Sequence, residues 1–390
     1  MAPRRRVRSV ATIVALAIVA ILLVVLGRPP GEPVAVPSPS PPRVPSSPSP
    51  PAGSASPSVA LLSPPSLAVP GRVSVVRLAP TVMSVAADGT SVAAVRVLEP
   101  GPIRAEIHLA DVAQDPPAVR RLVETEAFVN VIDLSGGRVA FDEYRETGGG
   151  GFTFALHVLA VGTGQRQQIW SGSFSPATFR GGGGGPKRVH PSARLALDGD
   201  RLAYVHVTER AGGELEGELR VRDLRTGAER AIARSAVWIE PVGLDGSELA
   251  YAVGGSPNDE IRIVDLGSGR ETVAVRARLI RSAAFRGPFV AYTTTDNEQA
   301  GPFRVMLRDV RDGSERQLDA NGTRVSLSGR HAAWYTAGAG PRGLRIFDLA
   351  RARETQPLSG AQPYFDIEAV DAGLLLRGGD GATIVVARID

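Results

Sequence analysis

The sequence predicts an all-β protein: a seven-bladed β-propeller preceded by one N-terminal transmembrane helix and a disordered Pro/Ser-rich linker. Three observations predict it. One short pattern recurs seven times, with a step of about 40–45 residues. The segments between turns alternate apolar and polar residues with period two, the period of a strand. Gly and Pro, 44 and 31 of the 390 residues, would break long helices.

The elements follow in order. Residues 1–8 are a basic cytoplasmic tail with Arg4, Arg5, Arg6 and Arg8. Residues 9–27 are uncharged, and their helix of about 28 Å matches the hydrocarbon core. The basic flank keeps the N-terminus inside, which makes this segment a signal-anchor and leaves the rest outside the membrane. The competing reading is a cleaved signal peptide, but Arg28-Pro29-Pro30 follows where an A-x-A site would stand. Residues 28–70 form the linker and hold 15 of the 31 prolines in 29–70, too few apolar groups for a core. Residues 71–390 are the propeller, closed by an N-terminal strand at 72–78 that completes the last blade.

In each copy a turn Gly is followed by two variable residues, an apolar residue, usually Ala, and often an aromatic ring. The pattern reads Gly89…Ala93-Ala94, Gly136…Ala140-Phe141, Gly199…Ala203-Tyr204, Gly246…Ala250-Tyr251, Gly287…Ala291-Tyr292 and Gly329…Ala333-Trp334, with a degraded copy at Gly373. A second column ends the next strand in Asp before a tight turn: Asp111, Asp223, Asp265, Asp309 and Asp348, with Ala160 in the second copy. The motif Leu-Asp-Gly-x-x-Leu-Ala-Tyr (Leu197 to Tyr204, Leu244 to Tyr251), followed by Ile-x-Ile-x-Asp-Leu-x-x-Gly (Ile261 to Gly269), resembles the TolB-like, WD-like β-propeller repeat over about residues 72–390. The resemblance implies the propeller and specifies no activity. It departs from the family's Ser-Pro-Asp-Gly turn, which here lacks the Pro, and it has no counterpart of the α/β domain found in TolB.

Composition excludes several classes. There is no Cys, hence no disulfide scaffold and no lipid-anchored Cys. The net charge of +4 comes from the first 70 residues, and the propeller part is close to neutral, so nucleic acid is not an expected partner. No H-E-x-x-H or Gly-x-Ser-x-Gly occurs, and the glycine runs at 148–151 and 181–185 lack a phosphate-loop ending. Asp245-Gly246 and Asp312-Gly313 lack the spaced carboxylates of a calcium loop and read as hairpin turns. His108 and His157 share one repeat column, and Phe141, Tyr204, Tyr251, Tyr292 and Trp334 another; shared columns point to packing between blades. No catalytic, cofactor or metal residue is nominated.

Binding residues concentrate in loops on a rigid scaffold. The a–b and c–d turns are tight, whereas the long segments, 142–151, 171–191, 208–217, 254–259 and 294–302, fall between strands b and c or between blades. The candidates on that face are Glu143, Tyr144 and Arg145, then Arg180, Lys187, Arg188 and His190, then Glu209 and Arg210. Their cations suit an acidic protein or an anionic glycan. The expected function is a binding module at the cell membrane for a protein or cell-envelope glycan. The alternative is a lyase or hydrolase with a site in the central channel.

Overall fold

In the computed structural model the described residues are 73–78, 81–98, 103–147, 150–175, 189–190, 194–210, 214–255, 257–296, 303–336, 343–358, 366–370, 373–377 and 383–388. They contain strands and turns and no helix. The expected tail, membrane helix and linker at 1–70 lie outside the described residues.

Strand β1 (Val73–Arg77) comes first. The first sheet is β2 (Thr81–Asp88), β3 (Ser91–Leu98), β4 (Arg104–Asp111) and β5 (Ala118–Thr125). The second is β6 (Ile132–Ser135), β7 (Arg138–Glu146), β8 (Phe152–Ala160) and β9 (Arg166–Phe174). The third is β10 (Ala196–Asp198), β11 (Arg201–Glu209), β12 (Leu215–Asp223) and β13 (Glu229–Ser235). The fourth is β14 (Ile239–Asp245), β15 (Glu248–Val253), β16 (Asp259–Asp265) and β17 (Glu271–Ala277). The fifth is β18 (Ile280–Arg286), β19 (Phe289–Thr294), β20 (Arg304–Asp309) and β21 (Glu315–Asp319). The sixth is β22 (Gly322–Leu327), β23 (His331–Thr336), β24 (Leu344–Asp348) and β25 (Arg353–Leu358). The last is β26 (Asp366–Val370), β27 (Gly373–Arg377) and β28 (Thr383–Arg388), with β1 on its outer edge. β1 pairs antiparallel with β28, Val73 opposite Ala387 and Arg77 opposite Thr383.

The repeat glycines and aspartates make the turns. Gly136, Gly199 and Gly246 adopt φ of 57°, 54° and 57°, a region that disfavours a Cβ. The Asp column forms side-chain turns: Asp223 Oδ1 accepts from Arg225 N at 2.9 Å and Thr226 N at 2.8 Å. Both sets of turns share one face, because Leu224 N donates to Asp200 O at 2.7 Å and Leu266 N to Ser247 O at 2.7 Å.

The inner strands are stitched sheet to sheet. Asp88 accepts from Gly136 N at 2.8 Å, Asp133 from Leu197 N at 2.7 Å, Asp198 from Gly246 N at 2.8 Å and Asp245 from Gly287 N at 2.6 Å. Ser282 then accepts from Val325 N at 3.2 Å, Ser326 from Ala369 N at 2.8 Å, and Glu368 from Ala87 N at 3.3 Å. The series returns to its start, so the sheets stand in a ring, the arrangement of a β-propeller. The Asp of the Asp-Gly turns therefore joins sheets. Apolar layers fill the spaces between neighbouring sheets, centred on Phe141, Tyr204, Tyr251 and Trp334, each at most 2% exposed.

Several expected loops are shorter than the sequence suggests. Residues 142–146 belong to β7 and 152 onward to β8, residues 171–174 end β9, and β11 runs through Glu209 with β12 starting at Leu215. Charge at these strand ends imitates loop composition, although the ladder hydrogen bonds continue: Glu143 is paired with Ala155 and Arg145 with Thr153.

Candidate functional site

One ion network recurs on the sheet faces. In the third sheet Tyr204 donates to Glu229 at 2.7 Å, Arg220 bridges Glu229 at 2.6 Å and Glu218 at 2.5 Å, and Arg234 closes on Glu218 at 2.5 Å. The fourth repeats it: Tyr251 to Glu271 at 2.8 Å, Arg262 to Glu271 at 2.7 Å and Glu260 at 2.8 Å, Arg276 to Glu260 at 2.7 Å. In the fifth, Tyr292 donates to Glu315 at 2.6 Å. Burial, then the partner carboxylate, pushes all three phenols up.

The second sheet breaks this pattern at every position. Phe141 stands opposite His157, where Tyr204 stands opposite Arg220 and Tyr251 opposite Arg262. Ala155 stands opposite Ser171, where Glu218 faces Arg234 and Glu260 faces Arg276. Arg166 begins the outer strand where Glu229 and Glu271 begin theirs. The acid has moved to Glu143, two residues beyond Phe141. Replacing a Glu–Arg pair by Ala and Ser leaves space, and a groove of about 640 Å³ opens there, lined by Glu143, Arg145, His157, Arg166, Gln168 and Ser171 among others.

Glu143 is 6% and His157 5% exposed. Arg166 lies 2.8 Å from Glu143 Oε1, His157 Nε2 3.4 Å and Arg145 3.7 Å from Glu143 Oε2. The Arg166 guanidinium also lies over the Phe141 ring at 5.1 Å. Burial works to raise the Glu143 carboxyl, but the polar groups of His157 and Thr125 and the charge of Arg166 outweigh it and hold it down at about 2. His157 Nε2 is turned to Glu143, whereas its Nδ1 makes no hydrogen bond among the described residues, and both ring nitrogens are buried.

Of the residues nominated from the sequence, Glu143 and Arg145 meet in this groove. Tyr144, next between them on β7, lies on the opposite face, its ring 4.8 Å from Phe152 and packed in the core toward the third sheet. Arg180, Lys187 and Arg188 lie outside the described residues. His190 is exposed beside buried Val189. Glu209 accepts from Ser175 N at 2.9 Å and so ties the end of the third sheet's β11 to the segment after β9. Arg210 pairs with Glu216. Arg166, Gln168 and Ser171 were not nominated; the signal for them is the departure of the second copy from the repeat, Arg for Glu and Ser for Arg in fixed columns. Among the described residues, no group of three metal-ligating side chains assembles.

A second polar feature lies at the inner strands. Arg194 Nη1, just before β10, donates to Ala283 O of β18 at 2.5 Å and so links the inner strands of the third and fifth sheets. Asp133 accepts from Leu197 N and Leu134 N, at 2.7 and 2.8 Å; burial outweighs these bonds and pushes it up to about 6.

No protein-family model and no curated protein matches the chain. Solved structures do. The β-propeller domain of the Trilobed protease from Pyrococcus furiosus, described as having an open velcro topology, is similar at 12% identity and a TM-score of 0.56, over 76% of this chain and 90% of that one. An oligogalacturonate lyase in complex with manganese is similar at 12% identity and a TM-score of 0.53, over 83% of this chain and 97% of that one. TolB from Acinetobacter baumannii matches at 15% identity and a TM-score of 0.43, over 65% of this chain, which spans 60% of TolB's length. Likeness at such identity concerns the fold, and the fold is a β-propeller.

Proposed function

We propose that this β-propeller is a binding module. In this reading seven blades stand outside the cytoplasmic membrane, held by a signal-anchor at 9–27 and a tether at 28–70, and engage a protein or a cell-envelope glycan. The observation that carries it is the second sheet's groove: a buried acid and imidazole beside open space, at the place where two other sheets close the same space with a Glu–Arg pair. The third and fourth sheets fill this space with the pair, and the second, where Ala155 and Ser171 replace it, leaves it open to a ligand.

The test compares the full-length protein with the variant Ala155→Glu/Ser171→Arg, which restores the pair and closes the groove. Envelope proteins and isolated envelope glycan are offered separately to each. The expected result is retention of one of the two by the natural chain and its loss in the filled variant. Equal retention by both would refute the reading. The second reading, a lyase or hydrolase working in the channel, draws on Asp133, whose carboxyl at about 6 beside Arg194 suits proton transfer near neutral pH. Turnover lost in Asp133→Asn and kept in the filled variant would favour it.

A further inference from the structure

We propose that the second-sheet groove takes a hydroxylated carboxylate: a sugar acid, free or at the end of a glycan, with one carboxylate and neighbouring hydroxyls. The inference rests on the groove being a binding site and goes on to name what it binds. The charges select the anion. Two guanidiniums, Arg145 and Arg166, face one carboxylate, Glu143. Their side chains are 54% and 33% exposed, so each keeps N–H donors beyond its contact with Glu143. A planar carboxylate fits such a donor fork.

The acid in the groove limits the anion's charge. Glu143 stays ionised down to about pH 2 and would repel a phosphate dianion. It would instead accept from a hydroxyl, as would Ser171 and Ser173, which line the same wall with Gln168. Gln168 Nε2 is 3.3 Å from Ser171 Oγ, a weak internal contact that a ligand hydroxyl can replace. An uncharged sugar lacks a reason to choose this place: the ring of Phe154, the one aromatic residue besides His157 on the lining, packs against Trp170 at 5.0 Å and offers no stacking platform. Size agrees as well. A space of 640 Å³ holds roughly twenty waters, far more than the one or two that would satisfy His157, and falls within the usual range for small-molecule sites.

The experiment titrates the full-length protein with D-glucuronate, D-glucose, acetate and inorganic phosphate, reading heat and the His157 ring-proton resonances. The expected result is saturable binding of glucuronate with a shift at His157. Glucose, acetate and phosphate should each bind at least about tenfold weaker. Arg166→Gln should weaken glucuronate about tenfold or more, and Ala155→Glu/Ser171→Arg should abolish it. If the double variant misfolds, as judged by its melting curve, Ser171→Leu serves as the obstructing variant. Glucose or phosphate binding as tightly as glucuronate would overturn the proposal, as would glucuronate binding undiminished by these substitutions. If glucuronate does not bind while groove filling still abolishes partner retention, the ligand class is wrong and the binding role stands. If groove filling leaves retention intact, the binding role itself has failed.

Discussion

Substituting Gly136 by Ala tests how closely the second and third sheets approach. Gly136 sits at φ 57°, so an Ala there carries the left-handed cost of about 1 kcal/mol. Its new Cβ would also lie 2.8 Å from Gly199 Cα, roughly 1 Å inside an ordinary carbon–carbon contact. Gly199 is already a glycine, so no smaller side chain can make room; the two turns must separate. Separation strains the bond from Gly199 N to Ser135 Oγ, 3.1 Å, and the Arg138–Asp200 pair. Overpacking of this kind costs about 1–3 kcal/mol, for a total of about 2–4 kcal/mol. Gly89 provides the control: it has φ 58° and nothing within 4 Å of its Cβ position, so Gly89→Ala should cost only about 1 kcal/mol. Guanidinium denaturation of both variants under one condition reads the difference. Equal destabilisation would show that the approach of the turns contributes nothing and would refute the argument.

Tyr251→Phe removes a phenol hydrogen bond to the Glu271 carboxylate at 2.8 Å and should cost about 1–2 kcal/mol of unfolding free energy, seen as a lower denaturant midpoint; an unchanged midpoint would deny the network an energetic role. Glu143→Gln should destabilise by about 1–3 kcal/mol at pH 7, since it leaves buried His157 and partly exposed Arg166 without their acid. Its folded value lies below 4.5, so its contribution is present above pH 4.5 and fades as pH falls toward 2; the gap between variant and natural protein should close over that window. Asp133 has the opposite sign: raised from 3.8 to about 6, it lowers stability as pH rises through that interval, and carboxyl-carbon NMR should place its midpoint near 6, against which a midpoint near 4 would count decisively. Deleting residues 73–78 removes buried Val76 and uncovers Ile384, 2% and 0% exposed, and should lower the melting temperature by several degrees.

The fold is legible because its signals are local and repeated. Gly199 needs a left-handed turn, Asp223 closes the next one on its own backbone, and Leu219 and Val221 alternate inward; each requirement acts within a few residues and recurs. The groove is legible only in part because it is assembled across strands. Glu143-Tyr144-Arg145-Glu146 reads as a loop until the counter-groups His157 and Arg166 arrive from β8 and β9, and nothing in the local sequence announces them. Strand register brings them there. The repeat does hold a fainter signal: once the second copy is laid on the third and fourth, Ala155, Arg166 and Ser171 stand out against Glu, Glu and Arg. Tyr144 went astray for the same reason, since alternation along a strand sends neighbours to opposite faces.

The pairing of β1 with β28 joins segments about 300 residues apart, among the longest-range contacts the chain makes. At about 5–20 residues per second, β1 leaves the ribosome roughly 15–60 seconds before its partner is made. Throughout that interval Val73, Val75 and Val76, a β-branched stretch prone to pair with any exposed edge, have no mate. The order of synthesis thus makes the ring's last seam a hazard for the nascent chain, and sets a task for whatever accompanies it: to keep one short strand unpaired until the final strand appears.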